Sequence, residues 1–387
     1  MAAISAPPVA RERDAAPPAR VIGWDVGGAH LKAALWEAGA LRQVVQLPCP
    51  LWQGVDRLRE ALAEAAARLG PADRHAATMT GELADIFASR AEGVSAIAAV
   101  LVETLGPAVR LYAGARSFVA PGEAAGLADA VASANWHATA ALAARFVPDG
   151  LMVDMGSTTT DIVPLSAGAV AARGHTDAAR LACGELVYTG LVRTPLMALT
   201  HRAPFAGAWT TLAAEHFATA ADVHRLLDSL PDGADLLPTA DGRDRSPASS
   251  RGRLARMVGR DAAEAGESAW RDLAAWLAEQ QMRQLEDAAR LVLSAGPTGR
   301  HVVAAGVGHA VVARLAQRLG CRCTPFSSLV PGEGAAGACA PAVAMALLGA
   351  EEASMGSPSA GPSNDPRGSS EPLASDARTR GPFDPMT

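Results

Sequence analysis

Lysine is almost missing from this chain: of 34 lysine and arginine residues in 387, only Lys32 is a lysine. Asparagine occurs only at Asn135 and Asn364, and the two tyrosines are Tyr112 and Tyr188. No basic run offsets a formal net charge of -6, which argues against nucleic acid or an anionic membrane surface as a partner. No apolar stretch approaches the ~20 residues that cross a bilayer. The opening MAAISAPPVARERDAAPPAR lacks the apolar middle of a signal peptide, so a cytoplasmic location is expected. The 5 cysteines, Cys49, Cys183, Cys321, Cys323 and Cys339, are odd in number and scattered. They form neither a disulfide framework nor a zinc spacing. What remains is a chain long enough for two lobes with substantial cores.

Two stretches concentrate the chemistry. The first, Leu151 to Leu165 (LMVDMGSTTTDIVPL), sets two carboxylates, a glycine and four hydroxyls between apolar, β-leaning flanks. It reads as strand, tight polar turn and strand. Asp154 can reach a hydrated metal, and the turn from Gly156 to Thr160 offers N–H groups and hydroxyls to phosphate oxygens. Val21 to Leu35 (VIGWDVGGAHLKAAL) repeats the pattern with Asp25, Gly27, Gly28 and Lys32. A lysine kept at one loop of an arginine-favouring chain suits phosphate, because an ammonium is compact where a guanidinium is a wide fork. Two such hairpins, each opening one half of the chain, predict related lobes facing across a cleft. The plain alternative is a pair of ordinary hairpins whose hydroxyls satisfy their own backbone.

These loops resemble the phosphate-binding hairpins of the actin, sugar-kinase and Hsp70 ATPase superfamily, nearest its hydantoinase A and oxoprolinase group. Further motifs join them: MTGEL from Met79, SANW from Ser133, GELVYTGLVRTP from Gly184, FATAADVHR from Phe217 and RLARMVGRD from Arg253. Together they are similar to the tetrahydromethanopterin-linked C1-transfer pathway protein family. Its characterised members are methanofuran-pathway enzymes that join an aminomethylfuran to glutamyl-tyramine. The resemblance implies an α/β, two-lobed actin-like (ribonuclease H-like) fold with a central cleft. It also implies a transferase that condenses an aminomethylfuran diphosphate with γ-glutamyl-tyramine and releases diphosphate. The competing class is an ATP-dependent kinase or a hydantoinase/oxoprolinase-type amidohydrolase. Gly28-Ala29 stands where such a kinase carries a hydroxyl, which counts against ATP turnover.

Taken in order, residues 1–19 are expected to be a disordered leader and 20–147 the first lobe. Residues 148–349 form the second lobe, with a lid-like insert at about 200–265, and 350–387 a disordered tail. Helices are predicted over Val55 to Leu69, Ala208 to Leu230, Ser268 to Leu293 (with Leu291 a core position) and Ala335 to Leu348, the last closing the second lobe. Asn135 reads as an N-cap or a substrate contact. Gly306 and Gly308, between a strand and a helix, offer amides to an anion.

The expected chemistry uses Mg²⁺ held by Asp25, Asp154 and Asp161, with catalysis by Lys32, Asp154 and Glu185. Phosphate is assigned to Gly27, Gly28, Lys32, Gly156, Ser157, Thr158, Thr159, Gly306 and Gly308. Substrate contacts are assigned to Glu82, Asn135, Tyr188, Asp241, Arg253 and Arg256. Glu185, Glu82 and His30 are the candidate bases. The partners are small molecules, and the oligomeric state is left open.

Overall fold

A computed structural model describes residues 20–296, 299–332 and 337–355. The leader expected at 1–19 and nearly all of the tail lie outside the described residues. Among those described, two six-stranded sheets dominate. The first contains β1 (Val21–Val26), β2 (His30–Glu37), β3 (Ala40–Pro48), β4 (Arg74–Met79), β5 (Arg110–Tyr112) and β6 (Phe118–Val119), in the order β3-β2-β1-β4-β5-β6. It carries α1 (Asp56–Leu69), α2 (Arg90–Leu105) and α3 (Ala128–Val131). β1 is buried at every position because it pairs antiparallel with β2 and parallel with β4, which is why it reads as a nearly unbroken apolar run. α1 buries Leu58, Ala61, Leu62, Ala65 and Leu69, a one-sided helical stripe. It stops at Gly70, whose φ of +75° suits glycine best.

α4 (Asn135–Ala144) leads into the second sheet, built from β7 (Gly150–Met155), β8 (Thr160–Ser166) and β9 (Ala169–Val170). After α5 (Asp177–Cys183) comes β10 (Leu186–Val187). The chain then forms a separate hairpin of β11 (Arg202–Phe205) and β12 (Ala208–Thr211), followed by α6 (Ala220–Leu226), α7 (Pro247–Met257) and α8 (Glu267–Ala295). β13 (His301–Ala305), α9 (His309–Arg318), β14 (Arg322–Pro325) and α10 (Ala340–Met355) follow. The sheet order is β10-β8-β7-β13-β14, with β9 on β8. Among the described residues no helix is long and apolar enough to cross a membrane.

Several expectations are corrected. The helix predicted over Ala208 to Leu230 is instead the strand β12, a loop and a short helix, α6, confined to Ala220–Leu226. Ala206 and Gly207 both take positive φ, at 49° and 81°, the backbone that a two-residue hairpin turn requires. The final helix begins at Ala340, runs to Met355 into the expected tail, and packs on β1, β2 and β4 of the first sheet rather than closing the second. Gly23 permits this approach, since a Cβ there would lie 2.1 Å from the Ala342 carbonyl oxygen. α4 packs on β7, β8 and β9, so α4 and α10 lie side by side between the sheets and share one core with Met152, Val163 and Val303. Leu291 is half exposed, not core.

Candidate functional site

The two hairpins follow one plan. In the first, Asp25 on β1 pairs across the ladder with Lys32 on β2; in the second, Asp154 on β7 pairs with Asp161 on β8. Each turn is closed the same way, by Gly27 N–H donating to His30 O at 3.0 Å and Gly156 N–H donating to Thr159 O at 2.9 Å. Those two amides are therefore occupied and do not serve phosphate as expected. The amides of Gly28, Ala29, Ser157, Thr158 and Thr159 have no hydrogen-bond partner among the described residues. Unpaired N–H groups in consecutive turn residues form a concave anion site.

The charges are set by burial. Lys32 Nζ lies 3.6 Å from Asp25 Oδ2. Burial alone would lower the Lys32 pKa, but Asp25, Cys339 and Asp154 outweigh it and raise it, so the ammonium stays charged. Asp25 is raised by burial, against the pull of Lys32, and its buried Oδ1 has no partner. Asp154 is pushed up to about 7, first by burial and then by Asp161, with Lys32 opposing and Asp25 adding. Asp161 is raised by burial but held by Arg180 at 2.8 Å. Arg180, almost fully buried, lies 4.0 Å above the Trp136 ring. His30 is lowered to about 4 by burial, Lys32 and Arg193, and its Nε2 is unpartnered.

Both hairpins line one cavity of about 460 Å³ together with Trp52, Thr80, Leu83, Ser133, Asn135, Tyr188 and Arg193. Asn135 reaches the cavity as the first residue of α4, not as its N-cap; its Oδ1 accepts from Trp136 N–H. Arg193 was missed by sequence reasoning. It is exposed, forms no ion pair among the described residues, and sits in the quoted GELVYTGLVRTP segment, whose backbone binds the second hairpin through Arg193 N–H to Ser157 O. Its place in that motif, the one basic residue of the run, was the available signal.

Other expected site residues lie elsewhere. Glu185 is fully buried, and its carboxylate accepts from the amides of Arg173 and Gly174 at 2.7 and 3.0 Å. It fixes its own loop and does not line the cavity. Glu82 is buried behind the cleft, where it accepts from the Ser133 hydroxyl at 2.8 Å; only Ser133 reaches the cavity. Asp241, Arg253 and Arg256 do not line it either. Arg253, 0% exposed, bridges Asp222 and Asp241, and breaking a buried pair of this kind costs roughly 3–5 kcal/mol. Gly306 and Gly308 spend their amides on Gly337 O and Met155 O. Gly306 matters by being small: a Cβ there would lie 2.3 Å from Asp154 Oδ1.

Among the described residues no three His, Cys, Asp or Glu side chains form a ready metal cage. Mg²⁺ does not need one, since it commonly uses one or two carboxylates with phosphate oxygens and water. The orphaned Oδ1 of Asp25 and the Asp154 carboxylate, whose burial no hydrogen bond offsets, fit that manner of binding. Asp161 is committed to Arg180.

The sequence profile of the hydantoinase/oxoprolinase family matches residues 73–352, well over half of the chain. The chain belongs to the hydantoinase/oxoprolinase family. Within this match falls the second hairpin; the first precedes it. Two relatives bear the name (4-{4-[2-(gamma-L-glutamylamino)ethyl]phenoxymethyl}furan-2-yl)methanamine synthase. The one from Methanocaldococcus jannaschii is 34% identical over 239 residues, covering 62% of this chain and 71% of its own. The other, from Methanococcus vannielii, is 40% identical over 107 residues, 28% of this chain and 46% of its own. In shape the hydantoinase/oxoprolinase chain is similar to a nucleotide-free acetone carboxylase structure, with a TM-score of 0.53 at 11% identity over 85% of this chain and 70% of that one. That likeness speaks to fold alone, and with the sheet topology it gives the expected two-lobed, actin-like α/β architecture.

Proposed function

We propose that this chain is a transferase that joins the phenol oxygen of γ-glutamyl-tyramine to the methylene of an aminomethylfuran diphosphate and releases diphosphate, a step of methanofuran-type cofactor synthesis. The relatives' name describes a product with that phenoxymethyl ether, and they share 34–40% identity with this chain. The observation that carries the reading is the cavity between two matched hairpins, with unpaired amides on both and the cations Lys32 and Arg193.

In this reading the free amides and the two cations bind the diphosphate and neutralise the charge that it gains as the methylene C–O bond breaks. The electron pair leaves with the diphosphate. The phenol oxygen bonds to the methylene and loses its proton to a base. Of the three candidate bases, His30 alone lines the cavity. It is neutral, and a bound polyanion would raise its pKa from about 4 by opposing Lys32 and Arg193. Asp25 and Asp154 would hold Mg²⁺, which supplies further positive charge at the diphosphate. The partners are thus small molecules.

Purified protein incubated with Mg²⁺, the furan diphosphate and γ-glutamyl-tyramine should yield equal amounts of diphosphate and ether, measured by phosphate assay and mass spectrometry, whether or not ATP is added. Ether that forms only with ATP, or ATP cleaved without ether, would instead favour an ATP-driven reaction.

A further inference from the structure

Large apolar side chains left in solvent are few among the described residues, and three of them, Trp52, Leu83 and Tyr188, line the same cavity. Two are aromatic and come from segments bonded to opposite hairpins. Trp52 stands on a short strap, Leu51–Gln53, that is bonded to the first hairpin by Cys49 N–H to Ala29 O at 2.8 Å and Leu51 N–H to Gly28 O at 3.0 Å. Leu51 anchors the strap in the core while Trp52 is 42% exposed. Tyr188, 61% exposed, follows β10 on a strap bonded to the second hairpin by Leu191 N–H to Gly156 O and Val192 N–H to Ser157 O. Gln281 on α8 pins this second strap by donating to Thr189 Oγ1 and Gly190 O.

Neither ring has a partner among the described residues. Trp209, exposed to a similar degree at 59%, is covered by Trp276 and by Arg202. No ring or cation contact engages Trp52 or Tyr188 among the described residues, and the Tyr188 hydroxyl has no hydrogen bond there. Each phosphate-type hairpin thus carries its own strap with an unpartnered aromatic ring at the rim.

We propose that Trp52 and Tyr188 are specificity residues that receive the aromatic ring of the acceptor phenol. The inference rests on the transferase reading for the order of events. One methylene separates the donor's furan from its diphosphate, so the donor ring lies deep, beside the hairpins. The acceptor must approach that methylene from the side away from the leaving group, which is the side of the rim. A flat ring between unpartnered aromatics gains area burial and ring-ring attraction, while the hairpins bind the charged end independently.

The test compares wild type with Trp52→Ala, Tyr188→Ala and Tyr188→Phe. Three quantities are read: calorimetric binding of Mg-pyrophosphate, direct binding of γ-glutamyl-tyramine to the pyrophosphate-loaded protein, and acceptor KM against kcat. Both alanine variants should weaken acceptor binding and raise its KM about tenfold, with pyrophosphate affinity within about twofold of wild type. Tyr188→Phe should stay within about threefold on acceptor KM, since the ring is what matters. Unchanged acceptor binding in the alanine variants would overturn the proposal, as would an equal loss of pyrophosphate, which would make the straps mere loop supports. If wild type forms no ether but the alanine variants still lose the acceptor, the rim assignment stands and the transfer reading falls.

Discussion

Lys32→Ala should lower kcat/KM for transfer by roughly a hundredfold or more, the usual effect of removing one preorganised charge from a leaving group. The ammonium is the inner cation of the cleft, and Asp25 and Asp154 keep it charged. Its loss leaves Asp25 buried without its ion-pair partner. Because burial already raises the Asp25 pKa, that carboxyl can take up a proton instead of remaining a bare buried charge. The melting temperature of the free protein at pH 6 should therefore move by less than about 4 °C. Lys32→Arg should not restore turnover, since the wide guanidinium does not fill the place of a compact ammonium. Kinetics and thermal melting on the same samples check this. A collapse in melting matching the loss of activity would make Lys32 structural.

Asp154→Asn should abolish most turnover and yet stabilise the free protein at pH 8. The folded-state pKa of Asp154 is raised from 3.8 to about 7, chiefly by burial and then by Asp161. A raised pKa means that the group's contribution to stability is complete below about pH 4 and is lost as the pH rises through about 7. Three pKa units correspond to on the order of 4 kcal/mol; coupling to Asp25, Asp161 and Lys32 spreads that effect, leaving a gain of several degrees in melting for the uncharged amide. The two proteins should converge near pH 4, where Asp154 is protonated. Adding Mg-pyrophosphate at pH 8 should reverse the order, because a cation compensates the wild-type carboxylate and not the amide. Melting curves at pH 4 and pH 8, with and without the ligand, decide the matter. An Asn variant that melts lower than wild type at pH 8 without ligand would contradict it.

The paired hairpins were legible because their signal is local: an Asp two residues before a Gly, apolar strands on either side, and a lone lysine. The same locality made α1 and α8 readable from their periodic apolar stretches. What escaped the sequence depends on distant partners. Glu185 resembled a catalytic carboxylate in a glycine-flanked run, but its oxygens turn back onto the amides of Arg173 and Gly174. Arg253 resembled an anion ligand until its pairing with Asp222, 31 residues away, appeared. The helix expected over Ala208 to Leu230 failed because its apolar spacing mixed the second strand of a β-hairpin with a short helix, and the turn just before it, at Ala206-Gly207, pairs that strand with β11. The return of α10 to the first sheet is a matter of connectivity, seen only once Gly23 and Ala342 are in contact. Arg193 lay in plain view in a quoted motif; only the structure shows that it lines the cavity and forms no ion pair among the described residues.

The account depends on one act of binding, the seating of linked phosphates between two hairpins of the same design. A crystal structure of the protein with Mg²⁺ and pyrophosphate tests it most directly. The expected density lies between the amides of Gly28 and Ala29 and those of Ser157 to Thr159, within reach of Lys32 and beside Asp25 and Asp154. Pyrophosphate bound elsewhere, with both turns empty, would contradict it.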